Sequence, residues 1–213
     1  DPYANAFNES ANGAGHQTDD TEMNDWIWER KYEIDSLCYP IQLAYLLYNN
    51  TGRTDQFKDD FVTGIKQPLE VFVTEQNHEE SPYRFERDTW RKEDTLTHDG
   101  KGAPVKPVGL TWSGFRPSDD ACKYGYLIPS NMFAVVVLGY IQEIVTTVLE
   151  DTAIVAQAKK LQAEIEAGIK AYGLTKNQAG EEVYAYEVDG FGNGTLMDDS
   201  NVPNLIAAPY LGY

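Results

Sequence analysis

The sequence predicts an all-α fold with its helices in two layers, and three features carry that prediction. Met132 to Ile141 is apolar on every face, as a helix enclosed by others must be. Ile154, Ala158, Leu161, Ile165, Ile169 and Tyr172 recur at three- and four-residue spacing with charge opposite them, which describes a helix with one face in water. The connections between such segments are rich in Gly, Pro, Asp and Asn. Inner helices apolar throughout and outer helices with one stripe suit a helical toroid. A plain bundle is the alternative, and no repeat of fixed period points to a solenoid.

The elements follow in chain order. Residues 1–28 carry no period and read as loop. Glu33 to Asn50 is apolar on several faces (Leu37, Ile41, Ala44, Tyr45, Tyr48), so a buried helix is expected; Pro40 starts or kinks it and Gly52 stops it. Thr54 is expected to cap a second helix, striped by Phe57, Phe61, Ile65, Leu69 and Phe72 and kinked at Pro68. Residues 77–110 lose the period, with Tyr83-Arg84-Phe85 as a short strand in a long loop. A third helix is expected from Pro129 to Leu149 and a fourth, outer one from Thr152 to Tyr172. Val183 to Asp198 alternates around GFGNG and predicts a small β-hairpin; Val202 to Leu211 begins a last helix.

Composition narrows the function. A formal charge of −17 on 213 residues repels phosphate, so neither nucleic acid nor an anionic membrane surface is an expected partner. The longest apolar run, Met132 to Ile141, is too short to span a bilayer, and the polar start DPYANAFNES does not read as a signal peptide. Cys38 and Cys122 lie in apolar contexts without zinc spacing, which predicts buried free thiols and a reducing, cytoplasmic setting. Sequons at Asn8, Asn49 and Asn193 are short enough to arise by chance. His16, His78 and His98 all fall in polar loops; solvated rings are expected for the last two, while a substrate contact is open to His16. No P-loop, GxGxxG or GxSxG occurs, so no nucleotide cofactor and no serine nucleophile is implied.

Chemistry concentrates in three clusters. Thr111 to Asp120, TWSGFRPSDD, joins Trp112 and Phe115 to Arg116 and the adjacent pair Asp119 and Asp120. Aromatic faces beside carboxylates and an Arg suit an uncharged, polar, stackable ligand such as a sugar. Adjacent carboxylates repel, so one of them can keep its proton near neutrality as a general acid must. The competing use of Ser118-Asp119-Asp120 is to cap a helix. Trp26 to Asp35 interleaves Trp26, Trp28 and Tyr32 with Glu29, Arg30, Lys31, Glu33 and Asp35, as a ligand wall or a salt-bridged helix start. Tyr184 to Asn201 carries Glu187, Asp189, Asp198, Asp199 and Asn201 among turn residues. Its spacing does not fit a calcium loop, so no metal is expected.

At these clusters the chain resembles glycoside hydrolase family 125, the metal-independent exo-α-1,6-mannosidases. The resemblance rests on DPYANAFN (1–8), TEMNDWIWERKYEIDSLCYPIQLAY (21–45), TWSGFRPSDDACKYGYLIPSNMFAVV (111–136) and MDDSNVPNLIAAPYLGY (197–213), in order over nearly the whole chain. It implies an (α/α)6 toroid and inverting removal of terminal α-1,6-linked mannose without a cofactor. It places the general acid at Asp119 or Asp120, with a slight preference for Asp119. It makes Arg30, Glu33, Asp35, Asp198, Asp199 and Asn201 substrate-binding positions for a mannose-containing oligosaccharide, beside Trp112 and Arg116, which the residue types of their own cluster already suggest. The chain is about half as long as a full member. It lacks the family's upstream Trp-Leu-Arg-Asp-Ser type motif and the downstream His-Glu-Ser region that carries the general base. Residues 1–213 are therefore expected to be the central part of one domain: an incomplete toroid with the small hairpin inserted, inactive alone and self-associating through bare helix faces. A non-catalytic carbohydrate-binding helical domain is the rival reading. Glu187 and Asp189 are the carboxylates within the chain to test as a base.

Overall fold

A computed structural model describes all 213 residues. The N-terminal segment is mostly loop, pinned by a two-stranded pairing of β1 (Ala6–Phe7) with β2 (Ile27–Glu29). Helix α1 (Ile34–Thr51) follows at once. Pro40 lies inside α1, and Gly52 ends it at φ 68°, a left-handed conformation that glycine adopts without a Cβ penalty. Helix α2 is Asp59–Thr74. Thr54 does not cap it, contrary to expectation. Its carbonyl instead closes a turn on the Phe57 amide, and the helix starts after Lys58. The expected stripe survives in Ile65, Leu69 and Phe72, all buried, with Phe57 packed from the turn before the helix.

Residues 75–125 contain little regular structure: two 3-10 segments and one helical turn, α3 (Thr97–Gly100). Tyr83-Arg84-Phe85 forms no strand; one isolated bridge joins the neighbouring Glu86 to Asp20. Tyr83 and Phe85 are buried because they pack inward, which mimics a strand's alternation without a paired edge. Strand β3 (Tyr126–Leu127) leads into α4 (Ile128–Ile144), which continues as a π turn over Val145–Leu149. Helix α5 (Thr152–Tyr172) begins at Asp151, whose carboxylate accepts from the Ala153 and Ile154 amides. Hairpin β4 (Leu174–Lys176) with β5 (Glu182–Tyr184) sits upstream of the position expected from alternation. β6 (Glu187–Val188) pairs with β3 instead, and GFGNG folds back on Val188 through Gly194. The last helix is a single turn, α6 (Ala208–Leu211), shorter than expected.

Helix α4 is the centre: it packs against both α1 and α5, while α2 lies across α5 and α1. From Ile128 to Leu149 it is 22 residues long with mean hydropathy 1.9, long and apolar enough by composition to cross a membrane, which the run Met132 to Ile141 alone did not suggest. In this fold that apolarity faces neighbouring helices: Phe133, Ala134, Val137, Leu138 and Ile141 are fully buried. Helix α1 departs from the enclosed helix expected. Only its first turns are buried, and Leu43 is 72% exposed, with Tyr39 and Leu46 also open to solvent. Pro40 and Ile41 of α1, Phe61 of α2 and Phe7 of β1 line an apolar cleft of about 290 Å³ beside that face.

Candidate active site

The strap Trp112–Phe115 is fixed first. The amides of Gly114 and Phe115 both donate to the Tyr32 carbonyl (3.1 and 3.0 Å), and the Ser113 amide donates to Gly125 O (2.8 Å). The strap then turns sharply. The Arg116 amide donates to Asp120 O (2.8 Å), the Asp119 amide to Arg116 O (2.9 Å), and Phe115 bridges to Ala121. Asp119 sits at the tip with φ 66°, a left-handed conformation that Asp tolerates better than most residues but that needs external support. No helix starts here. The next one begins at Ile128, so the capping reading of Ser118-Asp119-Asp120 is overturned, and Ser118 Oγ is buried without a partner.

The two aspartates part company. Asp119 Oδ1 accepts from Asn5 Nδ2 (3.1 Å), and its backbone oxygen accepts from Lys31 Nζ (2.9 Å). Asp120 is half-buried and faces Arg91, 3.9 Å away, while Asp119 is exposed. Asn5 is fully engaged, since its amide also donates to Glu29 (3.2 Å) and its oxygen takes the Lys31 amide. Burial raises the Glu29 pKa, but hydrogen bonds from Arg87 and the charge of Lys31 outweigh it and hold Glu29 below its ordinary value. Lys31 is 2% exposed and also bonds Asp94 at 2.9 Å.

Glu33, just before α1, and Asp35, in its first turn, are both buried. Ser36 donates to Glu33 at 2.8 Å and Ser130 to Asp35 at 3.5 Å. Burial, then the charge of Asp35, then that of Asp119, pushes the Glu33 carboxyl up to about 9. Burial is also the main cause for Asp35, pushed up to about 7 with Asp119 adding to it. Glu33, Asp35 and Asp119 thus share one electrostatic field, joining two clusters far apart in sequence. A neutral carboxyl donates one hydrogen bond and accepts others, which matches a sugar hydroxyl.

Arg116 extends this wall. Its Nε donates to the fully buried Glu187 (2.6 Å) and its guanidinium lies 5.7 Å over the Tyr186 ring. Its two terminal nitrogens make no hydrogen bond within the chain, so they are free to meet a ligand. The loop after Met197 approaches α1 where Tyr39 donates to the Val202 carbonyl (2.7 Å).

Other expected site residues are occupied elsewhere. Arg30 donates to Asp1 (3.1 Å), Thr21 (2.8 Å) and Glu22 (3.4 Å) and lies against the Tyr3 and Tyr83 rings, so it ties down the N-terminal segment. Trp112 is a core residue, 1% exposed, stacked on His78 at 3.5 Å. Asp198 accepts the Leu205 and Ile206 amides, and Asp199 accepts both nitrogens of Asn201: these three shape a turn, the use that ordinary turn residues have. Glu187 accepts the Lys123 and Tyr124 amides as well as Arg116, and Asp189 organises GFGNG through Phe191 and Asn193, so neither is available as a base. Of the thiols, Cys38 is buried and Cys122 half-buried, both free. No three metal-ligating side chains converge.

His78 is not the solvated ring expected. It is 2% exposed, with Nε2 donating to Lys101 O (2.8 Å) and Nδ1 against Glu75 (2.6 Å). Tyr3 and Ser81 also donate to Glu75, which is fully buried. The i, i+3 spacing of Glu75 and His78 at a helix end was the available signal. Asn5 and Lys31 carried none beyond their place in the quoted strings.

A family model described as metal-independent alpha-mannosidase (GH125) matches residues 1–213. A solved Streptococcus pneumoniae chain has 60% identity and a TM-score of 0.99. Its title describes metal-independent alpha mannosidases and a non-productive substrate complex with alpha-1,6-mannobiose. The match covers 100% of this chain and 51% of that one. The meiotically up-regulated gene 157 protein of Schizosaccharomyces pombe is 32% identical, covering 100% of this chain and 45% of that protein. The chain thus spans about half the length of these relatives, and throughout that length it belongs to glycoside hydrolase family 125, the metal-independent α-mannosidases.

Proposed function

We propose that this segment supplies the acid half and much of the sugar-binding wall of an inverting exo-α-1,6-mannosidase. One observation carries the reading: Asp119 is held at a strained loop tip by Asn5 and Lys31, inside the field of the buried carboxyls Glu33 and Asp35. Asp119 is the general acid and gives its proton to the leaving glycosidic oxygen. Asn5 donates to Oδ1, so Oδ2 is the oxygen left to carry that proton. Glu33 and Asp35 hold hydroxyls of the terminal mannose, and the free terminal nitrogens of Arg116 hold another. Inversion needs a second carboxylate about 6.5–9.5 Å from the acid to activate water on the opposite face. With Glu187 and Asp189 engaged, that base belongs to the half of the enzyme outside these residues, as the family resemblance implies. The chain alone is then an incomplete toroid without turnover.

The test uses the whole enzyme that contains this segment. Asp119→Asn should lower kcat on α-1,6-mannobiose by about 10²–10⁴, the usual worth of an acid catalyst, while Asp120→Asn stays within about tenfold of the parent. The reverse ranking would move the acid to Asp120. Turnover by residues 1–213 alone would refute the division of labour.

A further inference from the structure

Glu187 is a buried carboxylate with no place in the chemistry above, yet both of its oxygens are engaged, by three donors that flank the acid loop. It sits on β6, register-paired through Leu127 to β3, immediately before the central helix α4. Its own amide bonds Thr195 Oγ1 (3.2 Å) and its carbonyl takes the Thr195 amide (3.0 Å), so the backbone under it is held on both sides. From that platform Oε1 takes Arg116 Nε at 2.6 Å, three residues before Asp119. Oε2 takes the Lys123 and Tyr124 amides at 2.9 Å each, four and five residues after it. Charge-assisted bonds of this kind are shorter and stronger than neutral ones.

We propose that Glu187 is a positioning residue: its one carboxylate closes residues 116–124 into a rigid loop and so sets where Asp119 presents its proton. The need is visible in the backbone. Asp119 lies at φ 66°, and a non-glycine residue keeps that conformation only where its surroundings over-determine it. The Arg116 and Asp119 amide bonds and the Cys122 amide on Gly114 O (2.9 Å) close the turn, and the Ala121 amide reaches Glu93 O (2.7 Å), but none of these carries the charge that the Glu187 bonds do. Lys31 holds the tip from one side. Glu187 holds both ends of the base from the other, and it also fixes the guanidinium of Arg116 by Nε so that the terminal nitrogens point away from it. Loss of the brace lets the tip drift, and a drift of about 1 Å between catalytic group and substrate can cost about 10²-fold in rate.

The proposal rests on Asp119 being the general acid, and the assay separates the two claims. The whole enzyme is measured on α-1,6-mannobiose, whose leaving group needs a proton, and on dinitrophenyl α-mannoside, whose leaving group does not. Glu187→Gln turns one acceptor into a donor facing donors. Glu187→Asp keeps the charge but draws it back by one methylene, and is the variant to rely on where the first fails to fold. For Glu187→Asp, kcat on mannobiose should fall by about 30-fold or more while kcat on the activated substrate stays within about threefold; any change in KM, from a shifted Arg116, should be alike for the two. An equal fall on both substrates, or no fall, overturns the brace. Asp119→Asn runs in parallel. If it is selective and Glu187→Asp is not, the brace alone fails; if Asp119→Asn falls equally on both, the acid assignment fails and takes the brace's purpose with it.

Discussion

Gly125→Ala is a one-methyl change with a large expected effect. A Cβ at residue 125 would lie 2.0 Å from both Cδ1 and Nε1 of Trp112, and 3.1 Å from Val105. Ordinary carbon contacts lie near 3.5 Å, so the indole would have to retreat by about 1.5 Å. It has nowhere to go. His78 stacks on it at 3.5 Å, nearly parallel, and Tyr32 stacks at 6.2 Å. Gly102 and Gly114 line other edges so closely that a Cβ on either would meet the ring at 3.2 or 3.0 Å. Overpacking a closed site of this kind costs about 3 kcal/mol, the upper end of the usual range. For a chain of this size that is a fall of about 6–12 °C in Tm. The assay is urea unfolding followed by far-ultraviolet circular dichroism, run as a cycle with Trp112→Ala. Trp112→Ala alone should cost about 3–5 kcal/mol, but in its background Gly125→Ala should cost under about 1 kcal/mol, because the space is then empty. A Gly125→Ala chain within about 0.5 kcal/mol of the parent, or an additive cycle, refutes the packing argument. The effect reaches the site, since the same strap continues through Gly114 and Phe115 into Asp119.

Two further outcomes are expected. Glu33 and Asp35 have folded-state pKa values raised above their unfolded ones, so their contribution to stability is full below the ordinary carboxylate range and is lost as pH rises toward about 9 and about 7 respectively. Relative to a Glu33→Gln/Asp35→Asn chain, the parent should therefore lose urea resistance between about pH 5 and about pH 8; a gap that does not change with pH would contradict the raised values. The exposed apolar face of α1 should drive self-association of residues 1–213, and Leu43→Ser/Leu46→Ser should reduce it in sedimentation velocity; unchanged association would place the contact elsewhere.

Helices and clusters were legible in the sequence to different depths. Both long downstream helices could be located because periodicity and flanking signals agreed: Asp151 before α5 is a capping residue in fact as well as in pattern. Thr54 failed as a cap because a β-turn at Phe57 uses the same residue types, and only tertiary packing decides between the two. Carboxylates could be picked out as site candidates, but not sorted. Asp119 and Asp198 look alike in sequence, each first of an Asp pair, yet one stands over a field of buried carboxyls and the other accepts two local amides. Trp112 and Arg30 were expected at the ligand because aromatic and charged residues mark binding walls. The structure spends both on burying the Tyr3, Tyr32 and Tyr83 cluster, a long-range arrangement with no local spacing to announce it. His78 did have a local sign, Glu75 three residues before it, but its other partners, Lys101 O and the Trp112 ring, are far off in sequence.

The pairing of Trp112 with His78 also decides how this chain can be watched. Three of its four indoles are wet: Trp26 is 57% exposed, Trp28 45% and Trp90 90%. The fourth, Trp112, is 1% exposed and stacked face to face on the His78 imidazole. Native emission should therefore be red-shifted already, because most of the emitters stand in water. Unfolding would move Trp112 alone from an apolar to an aqueous setting, so the wavelength would shift only slightly. Trp112→Phe would remove that shift, making the buried indole the optical reporter of the core beneath the Asp119 loop.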